Sequence, residues 1–163
     1  MVESALEGRV DRLVERIAEQ AAKAGASVAV AESLTGGQLA AALAAAPDSG
    51  EWFRGGIIAY HPEVKYELLG APRGPVVTEP TAVAMAESAA RLLLADVAVA
   101  VTGVGGPDPD EGKPAGTVVL AVTGGGRPTQ VEHLSFSGDP IEVMQQTVEQ
   151  ALEAVLTRVS PGG

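Results

Sequence analysis

The sequence contains no cysteine and few aromatic residues. Without cysteine, the chain has no disulfide, no thiolate nucleophile and no cysteine-bound metal, so any acyl-transfer chemistry must use Ser or Thr. Aromatic residues make up 3% of the chain, whereas 46% of it is apolar, largely Ala, Val and Leu. The core must therefore consist of small and branched side chains, which favour close packing of helices on a sheet.

Basic residues are also scarce, with 11 Lys and Arg against 21 Asp and Glu and a formal net charge of -10. Nucleic acids and anionic membranes are bound through cationic patches, and the sequence has no basic cluster. We therefore expect neither as a partner. A small anionic molecule remains compatible with this charge, because backbone N–H groups and one or two nearby cations can bind it.

No run of about 18 apolar residues occurs, and the first 20 residues mix charged side chains with periodic Leu and Val. We expect a cytoplasmic protein without a signal peptide. The 163 residues suffice for one full core, and no repeat or low-complexity linker divides them. Residues 1–163 are therefore predicted to form a single domain.

Segments with helical spacing of apolar residues alternate with short β-type runs. Through residue 102, strands alternate with helices, which predicts an α/β fold with a parallel portion. Two later strands, around the glycines at 124–126, predict an antiparallel addition. The predicted fold is a three-layer α/β/α sandwich with a mixed, partly parallel sheet. The predicted strands cover residues 27–31, 55–60, 96–102, 117–122 and 131–136, and the principal helices cover 6–24, 35–46, 79–94 and 141–159.

Polar residues stand at the carboxyl ends of three of the predicted strands: Ser33, Tyr60 and Thr102. Ligands of open α/β sheets collect at the carboxyl ends of the strands, where loops and helix N-termini meet. We therefore treat the convergence of these residues as a hypothesis. Strand order cannot be deduced from one sequence.

Ser33 precedes Thr35, Gly36 and Gly37, where the Thr35 and Gln38 spacing predicts a capping box. Exposed N–H groups at such a helix start can bind an oxyanion or a phosphate. The structural alternative is that Ser33 only assists the turn, since Ser and Thr are common before helices. The local pattern favours this alternative.

Lys65 is predicted in the first turn of a short helix that begins after His61 and Pro62. A buried Lys can lose its proton and act as a general base for Ser, although a solvated Lys is the ordinary explanation. Tyr60 either relays the proton and holds the lysine or is a strand-end aromatic residue with a bonded hydroxyl.

The third junction carries Thr102 and a loop with Gly103, Gly105 and Gly106. This loop can offer a hydroxyl and backbone donors to a substrate. It is not a dinucleotide-binding fingerprint, because Pro107 and Pro109 follow where a helix would be required.

No metal or cofactor is predicted. Asp108, Asp110 and Glu111 lack a spaced ligand pattern, so a solvated acidic loop is favoured over a cation site. His61 and His133 are far apart in the sequence, which gives a zinc site little support.

Four segments in this order resemble the CinA C-terminal domain family, whose stand-alone members are nicotinamide mononucleotide deamidases. The segments span nearly the whole chain, and their joint spacing is more specific than any one of them. They are Ala31-Glu32-Ser33-Leu34-Thr35-Gly36-Gly37, Gly55-Gly56-Ile57-Ile58-Ala59-Tyr60 with Lys65, Thr102-Gly103-Val104-Gly105-Gly106-Pro107-Asp108, and Lys113-Pro114-Ala115-Gly116-Thr117-Val118.

The resemblance implies hydrolysis of the carboxamide of a small nucleotide, without a required metal, and a homo-oligomer with a dimer as the default. It implies that Ser33 attacks the amide carbon and that Lys65 accepts its proton, with Tyr60 nearby. Backbone N–H groups around Thr35 and Gly36 would hold the oxyanion. Thr102 and the glycine loop would line the nucleotide pocket.

Three positions depart from the family pattern. Leu34 stands where Cys is usual and Gly105 where Ala is usual, and neither change touches the chemistry. Pro140 stands where the family commonly has Arg, so a cation for the substrate phosphate is missing unless Arg73 replaces it. A catalytically silent binding domain and an amidase for another amide therefore remain open alternatives.

Overall fold

The chain forms a five-stranded sheet covered by helices in the computed structural model, which describes residues 2–162. The strands are β1 (Val28–Glu32), β2 (Phe53–Ile58), β3 (Val97–Gly103), β4 (Thr117–Gly124) and β5 (Arg127–Ser135). The helices are α1 (Val2–Ala24), α2 (Gln38–Ala44), α3 (Ser49–Trp52), α4 (Pro62–Glu67), α5 (Glu79–Leu92) and α6 (Pro140–Val159).

The sheet is mixed, as predicted, with the strand order β2-β1-β3-β4-β5. Strands β2, β1 and β3 are parallel, whereas β4 is antiparallel to both β3 and β5. Gly125 and Gly126 connect β4 to β5 with φ values of 67° and 73°. Positive φ at both positions suits a tight two-residue hairpin and is accessible to glycine without a steric penalty.

Alternation of Val and Ala in the central strands separates the two faces of the sheet. In β1, Val28 and Val30 belong to the core formed with α1, α2 and α6, whereas Ala29 and Ala31 face the core formed with α5. All four side chains are fully buried. The small Ala face lets the Ala-rich α5 pack closely, and the Val face carries more of the hydrophobic stabilisation. The predicted three-layer α/β/α arrangement is confirmed.

The ends of some helices differ from the sequence prediction because contacts between distant parts of the chain determine them. Helix α2 begins at Gln38, and its N-cap residue is Gly37, which supplies no side-chain hydrogen bond. The predicted capping box of Thr35 and Gln38 is therefore wrong. The short helix α3 was not predicted, because four residues are too few to reveal a helical period.

The carboxyl ends of β1, β2 and β3 lie at one edge of the sheet because these strands are parallel. Strand β5 runs in the same direction as β3, so it delivers the N-terminus of α6 to this edge as well. There α6 starts with a capping box between Asp139 and Glu142 and with Pro140 in its first turn. Within residues 2–162, no helix is long and apolar enough to cross a membrane.

Candidate active site

A cleft of about 400 Å³ lies at the carboxyl edge of the parallel strands. It brings together residues from five separate segments of the chain. Three of them, which carry Ser33, Tyr60 with Lys65, and the glycine loop, are those whose convergence is the hypothesis drawn from the sequence. Its walls include Ser33, Leu34, Tyr60, Lys65, Val76, Val77, Gly103, Gly105, Gly106, Asp108, Asp110, Pro140 and Ile141. Ser33 and Lys65, the predicted nucleophile and base, thus line the same cleft.

Ser33 is the first residue after β1 and is 5% exposed. The chain turns at once, and the N–H group of Gly36 donates to the carbonyl oxygen of Ser33 at 3.1 Å. Gly36 and Gly37 have φ values of 55° and 108°, which L side chains adopt only with strain. The two glycines therefore allow the tight turn that leaves Ser33 at the cleft.

Glu32 fixes this turn and was not assigned a role from the sequence. Its fully buried carboxylate accepts hydrogen bonds from the N–H groups of Leu39 and Ala40, both at 2.9 Å. The last residue of β1 thereby occupies the donors at the start of α2. This contact takes the place of the side-chain cap that Thr35 was predicted to supply.

The predicted oxyanion donors around Thr35 and Gly36 are therefore corrected. Gly36 N–H is used inside the turn, and the N–H group of Gln38 donates to the carbonyl of Thr35 at 3.0 Å. Thr35, Gly36 and Gly37 do not line the cleft. Thr35 is fully buried, and its hydroxyl has no hydrogen-bond partner in the described part of the chain.

Other backbone donors do lie at the cleft. Among residues 2–162, the N–H groups of Leu34, Gly105 and Gly106 have no hydrogen-bond partner. All three residues line the cleft, and a Cβ atom placed on Gly105 would be 3.9 Å from that of Leu34. The residue after Ser33 and the glycine loop are thus close neighbours, and this proximity is one condition for two donors to share an oxyanion.

Lys65 is buried in α4, with 3% of its surface exposed. Its Nζ atom donates to the backbone carbonyl of Tyr60 at 3.4 Å. Burial lowers the pKa of the Lys65 ammonium, whereas the negative charges of Glu111 and Asp110 act in the opposite direction. Lys65 is therefore not the solvated lysine of the ordinary explanation.

Tyr60 lines the cleft but is 71% exposed. Its contact with Lys65 runs through the backbone carbonyl rather than the phenol. The structure thus supports an orienting contact from this residue. A proton relay through the hydroxyl stays a prediction.

Close packing requires glycine at two positions, the last residue of β3 and one residue of the loop that follows it. A Cβ atom on Gly103 would lie 2.7 Å from the carbonyl oxygen of Thr117, and one on Gly106 would lie 2.9 Å from Ala115 Cβ. Gly103, Gly105 and Gly106 all line the cleft, and their contact with a substrate stays a prediction. The loop thus approaches the start of β4 more closely than a side chain would allow.

Thr102 does not line the cleft, which corrects its predicted contact with substrate. Its side chain is fully buried, and its hydroxyl donates to the carbonyl oxygen of Val76 at 2.9 Å. Val76 does line the cleft. Thr102 therefore acts on the site through the cleft wall that it holds.

The acidic side chains of the loop after β3 make hydrogen bonds within the protein. Glu111 accepts hydrogen bonds from the N–H groups of Val76 and Val77, and Asp110 accepts one from Glu111 N–H at 2.8 Å. In the described residues, no group of three or more His, Cys, Asp or Glu side chains is arranged to hold a metal ion.

Pro140 lines the cleft, so the position that differs from the family pattern faces the predicted site. Arg73 does not compensate for it. This side chain is exposed, pairs with Glu63 and Glu67, and lies over the Tyr66 ring, and it is not part of the cleft wall. Lys65 is the one Lys or Arg side chain among the described residues that line the cleft.

A larger depression of about 660 Å³ lies at the opposite end of the strands. Its Arg158 is buried, and its guanidinium group donates to the carbonyls of Gly124, Arg127 and Pro128. These contacts join α6 to the β4–β5 hairpin. Its lining includes Ser160 and Lys23, but the Ser160 hydroxyl donates to the carbonyl of Leu156 and the exposed Lys23 pairs with Glu19. The smaller cleft, where the lysine is buried, is therefore the better candidate site.

Fold and site together define an α/β protein whose cleft combines a serine, a buried lysine and free backbone donors at the ends of parallel strands. The family model for the CinA C-terminal domain matches residues 10–159. This chain belongs to that family.

Relatives and solved structures agree with this assignment. A putative competence-damage inducible protein of Geobacillus sp. (strain WCH70) is 34% identical over 139 residues, which cover 82% of this chain and 33% of the relative. A CinA-like protein of Parasynechococcus marenigrum (strain WH8102) is 42% identical over 141 residues, again 82% of this chain and 33% of the relative. The chain thus spans about a third of the length of these curated relatives.

The crystal structure of a CinA superfamily protein from Enterobacter cloacae has a TM-score of 0.88 and 33% identity, covering 93% of this chain and 92% of that one. A competence/damage inducible protein from Agrobacterium tumefaciens gives a TM-score of 0.87 at 30% identity, covering 92% and 95%. The fold therefore also occurs in chains of similar length.

Proposed function

We propose that this chain is a serine-type amidohydrolase that converts nicotinamide mononucleotide to nicotinate mononucleotide and ammonia. The observation that carries the proposal is that Ser33 and the buried Lys65 line one cleft. Burial favours the neutral amine that a general base for serine requires. The carboxamide as substrate comes from the resemblance to the family.

In the first half of the reaction, the Lys65 amine takes the proton of the Ser33 hydroxyl while Oγ attacks the amide carbon. The N–H groups of Leu34 and Gly105 stabilise the negative charge on the former carbonyl oxygen. The Lys65 ammonium then gives this proton to the amide nitrogen, and the carbon–nitrogen bond breaks with release of ammonia.

The acyl ester on Ser33 is cleaved in the second half. Lys65 accepts a proton from water, the resulting hydroxide attacks the ester carbon, and the same backbone donors stabilise the second oxyanion. Breaking the ester bond frees Ser33 Oγ, which regains the proton from Lys65. The products are a carboxylic acid and ammonia, with no electron transfer and no cofactor.

Ammonia release from nicotinamide mononucleotide, with detection of the acid product, tests the proposal. Ser33→Ala and Lys65→Met should each lower kcat at least about 10³-fold, since nucleophile and base act as a unit. Ser160→Ala and Lys23→Met are matched controls outside the cleft and should retain wild-type rates. Full activity in Ser33→Ala would reject the nucleophile.

Two alternative functions remain. In these, the chain is either a binding domain without catalysis or an amidase whose substrate is an amide that carries no phosphate group. Pro140 favours these alternatives, because it leaves Lys65 as the one cation among the described residues of the cleft wall. The wall also carries the acidic residues Asp108 and Asp110, which do not favour a phosphate. Nicotinamide riboside in the same assay separates the cases. Riboside preference indicates the altered amidase, and binding without ammonia release indicates the silent domain.

The homo-oligomer, with a dimer as default, stays a prediction that light scattering tests.

A further inference from the structure

The loop between β3 and β4, residues 104–116, is fastened to the cleft wall by the side chain of Glu111. Its two carboxylate oxygens accept hydrogen bonds from Val76 N–H at 3.1 and 2.9 Å, and one of them also accepts from Val77 N–H at 3.1 Å. The contact spans 35 residues of sequence. It joins the loop that carries Gly105 and Gly106 to the segment that follows α4.

The segment held by Glu111 is part of the cleft. Val76 and Val77 both line it, together with Lys65. Val76 is held from two sides, because its carbonyl accepts the hydroxyl of Thr102 while its N–H group donates to Glu111. The position of this wall therefore depends on one contact from β3 and one from the loop.

The backbone of Glu111 is strained in this arrangement. Its φ is 53°, in the left-handed region that a non-glycine residue adopts only with strain. Gly112, with a φ of 71°, follows directly and would adopt such a conformation at no cost. The backbone groups of Asp110 and Lys113 bond to each other at 3.0 and 2.8 Å and close the two-residue turn that requires positive φ at both positions. The side-chain hydrogen bonds of Glu111 to Val76 and Val77 then fasten this turn to the cleft wall.

We propose that Glu111 is a positioning residue, which holds the glycine loop against the Val76–Val77 wall and so fixes the surroundings in which Lys65 acts. The inference rests on the proposed function in naming Lys65 as the base. Glu111 does not contact the reacting atoms in this scheme. It sets the distance between the loop donors and the wall beside the lysine, and it contributes a negative charge near that lysine.

The electrostatic part of this role has a defined sign. Glu111 and Asp110 raise the pKa of Lys65 against the effect of burial. Among the described residues, Asp108 from the same loop and Tyr60, two residues after β2, are the other titratable side chains that share the cleft with Lys65. Removing the charge of Glu111 should therefore lower the pKa of Lys65, whereas loosening of the loop alone would not.

The test uses the whole protein and follows the lysine directly. The chain has three lysines, so ¹³C-labelled lysine gives three Cε signals, and Lys23→Arg and Lys113→Arg assign that of Lys65. Glu111→Gln removes the charge and retains one acceptor, while Glu111→Ala removes both. Asp110→Asn is the matched control, because it removes a neighbouring charge without touching the hydrogen bonds to Val76 and Val77.

The expected results separate charge from positioning. The Lys65 titration should move down by about 0.5–1 pH unit in Glu111→Gln and also move down in Asp110→Asn. Amide exchange at Val76 and Val77 should accelerate about tenfold in both Glu111 variants and stay unchanged in Asp110→Asn. In Glu111→Ala, kcat should fall about tenfold with a smaller change in KM, and the acidic limb of the pH profile should move to lower pH.

The two proposals fail separately. Unchanged Lys65 titration in Glu111→Gln, or unchanged exchange at Val76 and Val77 in Glu111→Ala, overturns the positioning role even if the enzyme is active. If no amide is hydrolysed but the titration and the exchange respond as described, the proposed function is rejected and the link from Glu111 to Lys65 stands. If Glu111→Ala does not fold, Glu111→Gln provides both measurements.

Discussion

Glu32 accepts a hydrogen bond from the N–H group of Leu39 seven residues later, and this contact decides what the start of α2 can do. Because the second carboxylate oxygen takes the N–H group of Ala40, the protein supplies its own anion at this helix end. A substrate oxyanion cannot use the same donors. The Ser33 turn is thus anchored by its preceding residue, and the free donors lie at Leu34 and in the glycine loop.

Glu32→Gln should weaken both stability and activity. The amide oxygen can accept one of the two N–H groups, but its NH₂ group then faces the other donor. Loss of a buried hydrogen bond to a charged group typically costs about 1.5–3 kcal/mol of the free energy of unfolding, which urea denaturation measures. Ammonia release should fall because the turn carrying Ser33 loses its anchor. Glu51→Gln, on the exposed surface, is the control; equal stability of the two variants would contradict the capping role.

Thr102→Val should lower activity although Thr102 does not line the cleft. The isosteric change removes the hydrogen bond to Val76 O, and leaving this buried carbonyl unpaired costs about 1–3 kcal/mol. Thr102→Ser keeps the hydroxyl and should restore most of the rate. Kinetics and thermal unfolding of both variants provide the check. A wild-type rate in Thr102→Val would show that the wall at Val76 does not depend on this contact.

The layers of the fold could be predicted from the sequence because they follow local rules. The apolar periods, the strand lengths and the glycines at 124–126 indicated the mixed α/β/α sandwich that the structure has. Alternating Val and Ala in β1 and β3 also carries the difference between the two faces. Strand order, in contrast, depends on which elements pack together, and one sequence does not contain that information.

The candidate site was predicted where residue type and chain position agree, and missed where a long-range contact decides the role. Ser33, Lys65 and the glycine loop follow strand ends and do meet in the cleft. The roles of Glu32, Glu111 and Thr102 depend on partners 7, 35 and 26 residues away. For Glu32, the one available signal was its charge, because it follows an apolar run directly before Ser33.

Pro140→Arg should improve the use of nicotinamide mononucleotide more than that of nicotinamide riboside. The residue lines the cleft at the start of α6, where the added guanidinium can reach a substrate phosphate. A charge-assisted hydrogen bond contributes about 1.5–3 kcal/mol, which corresponds to roughly 10- to 150-fold in KM. Pro140→Gln is the neutral control and should leave the ratio of the two substrates unchanged. An unchanged ratio in Pro140→Arg would place the phosphate elsewhere.

Lys65→Met should abolish catalysis and stabilise the fold. Burial lowers the pKa of Lys65 in the folded state, so between the folded and unfolded pKa values the unfolded chain binds more protons. The free energy of unfolding of the wild type therefore rises as the pH rises through that window. Below the window, the buried lysine lowers the free energy of unfolding by its full amount. Methionine fills a similar volume without charge, so the variant should gain about 0.5–2 kcal/mol near neutral pH, and the gain should shrink as the pH increases.

Chemical denaturation across the pH range measures this difference, with the exposed Lys23→Met as control. A Lys65→Met protein that is less stable than the wild type at every pH would mean that the lysine is held by contacts stronger than its burial cost.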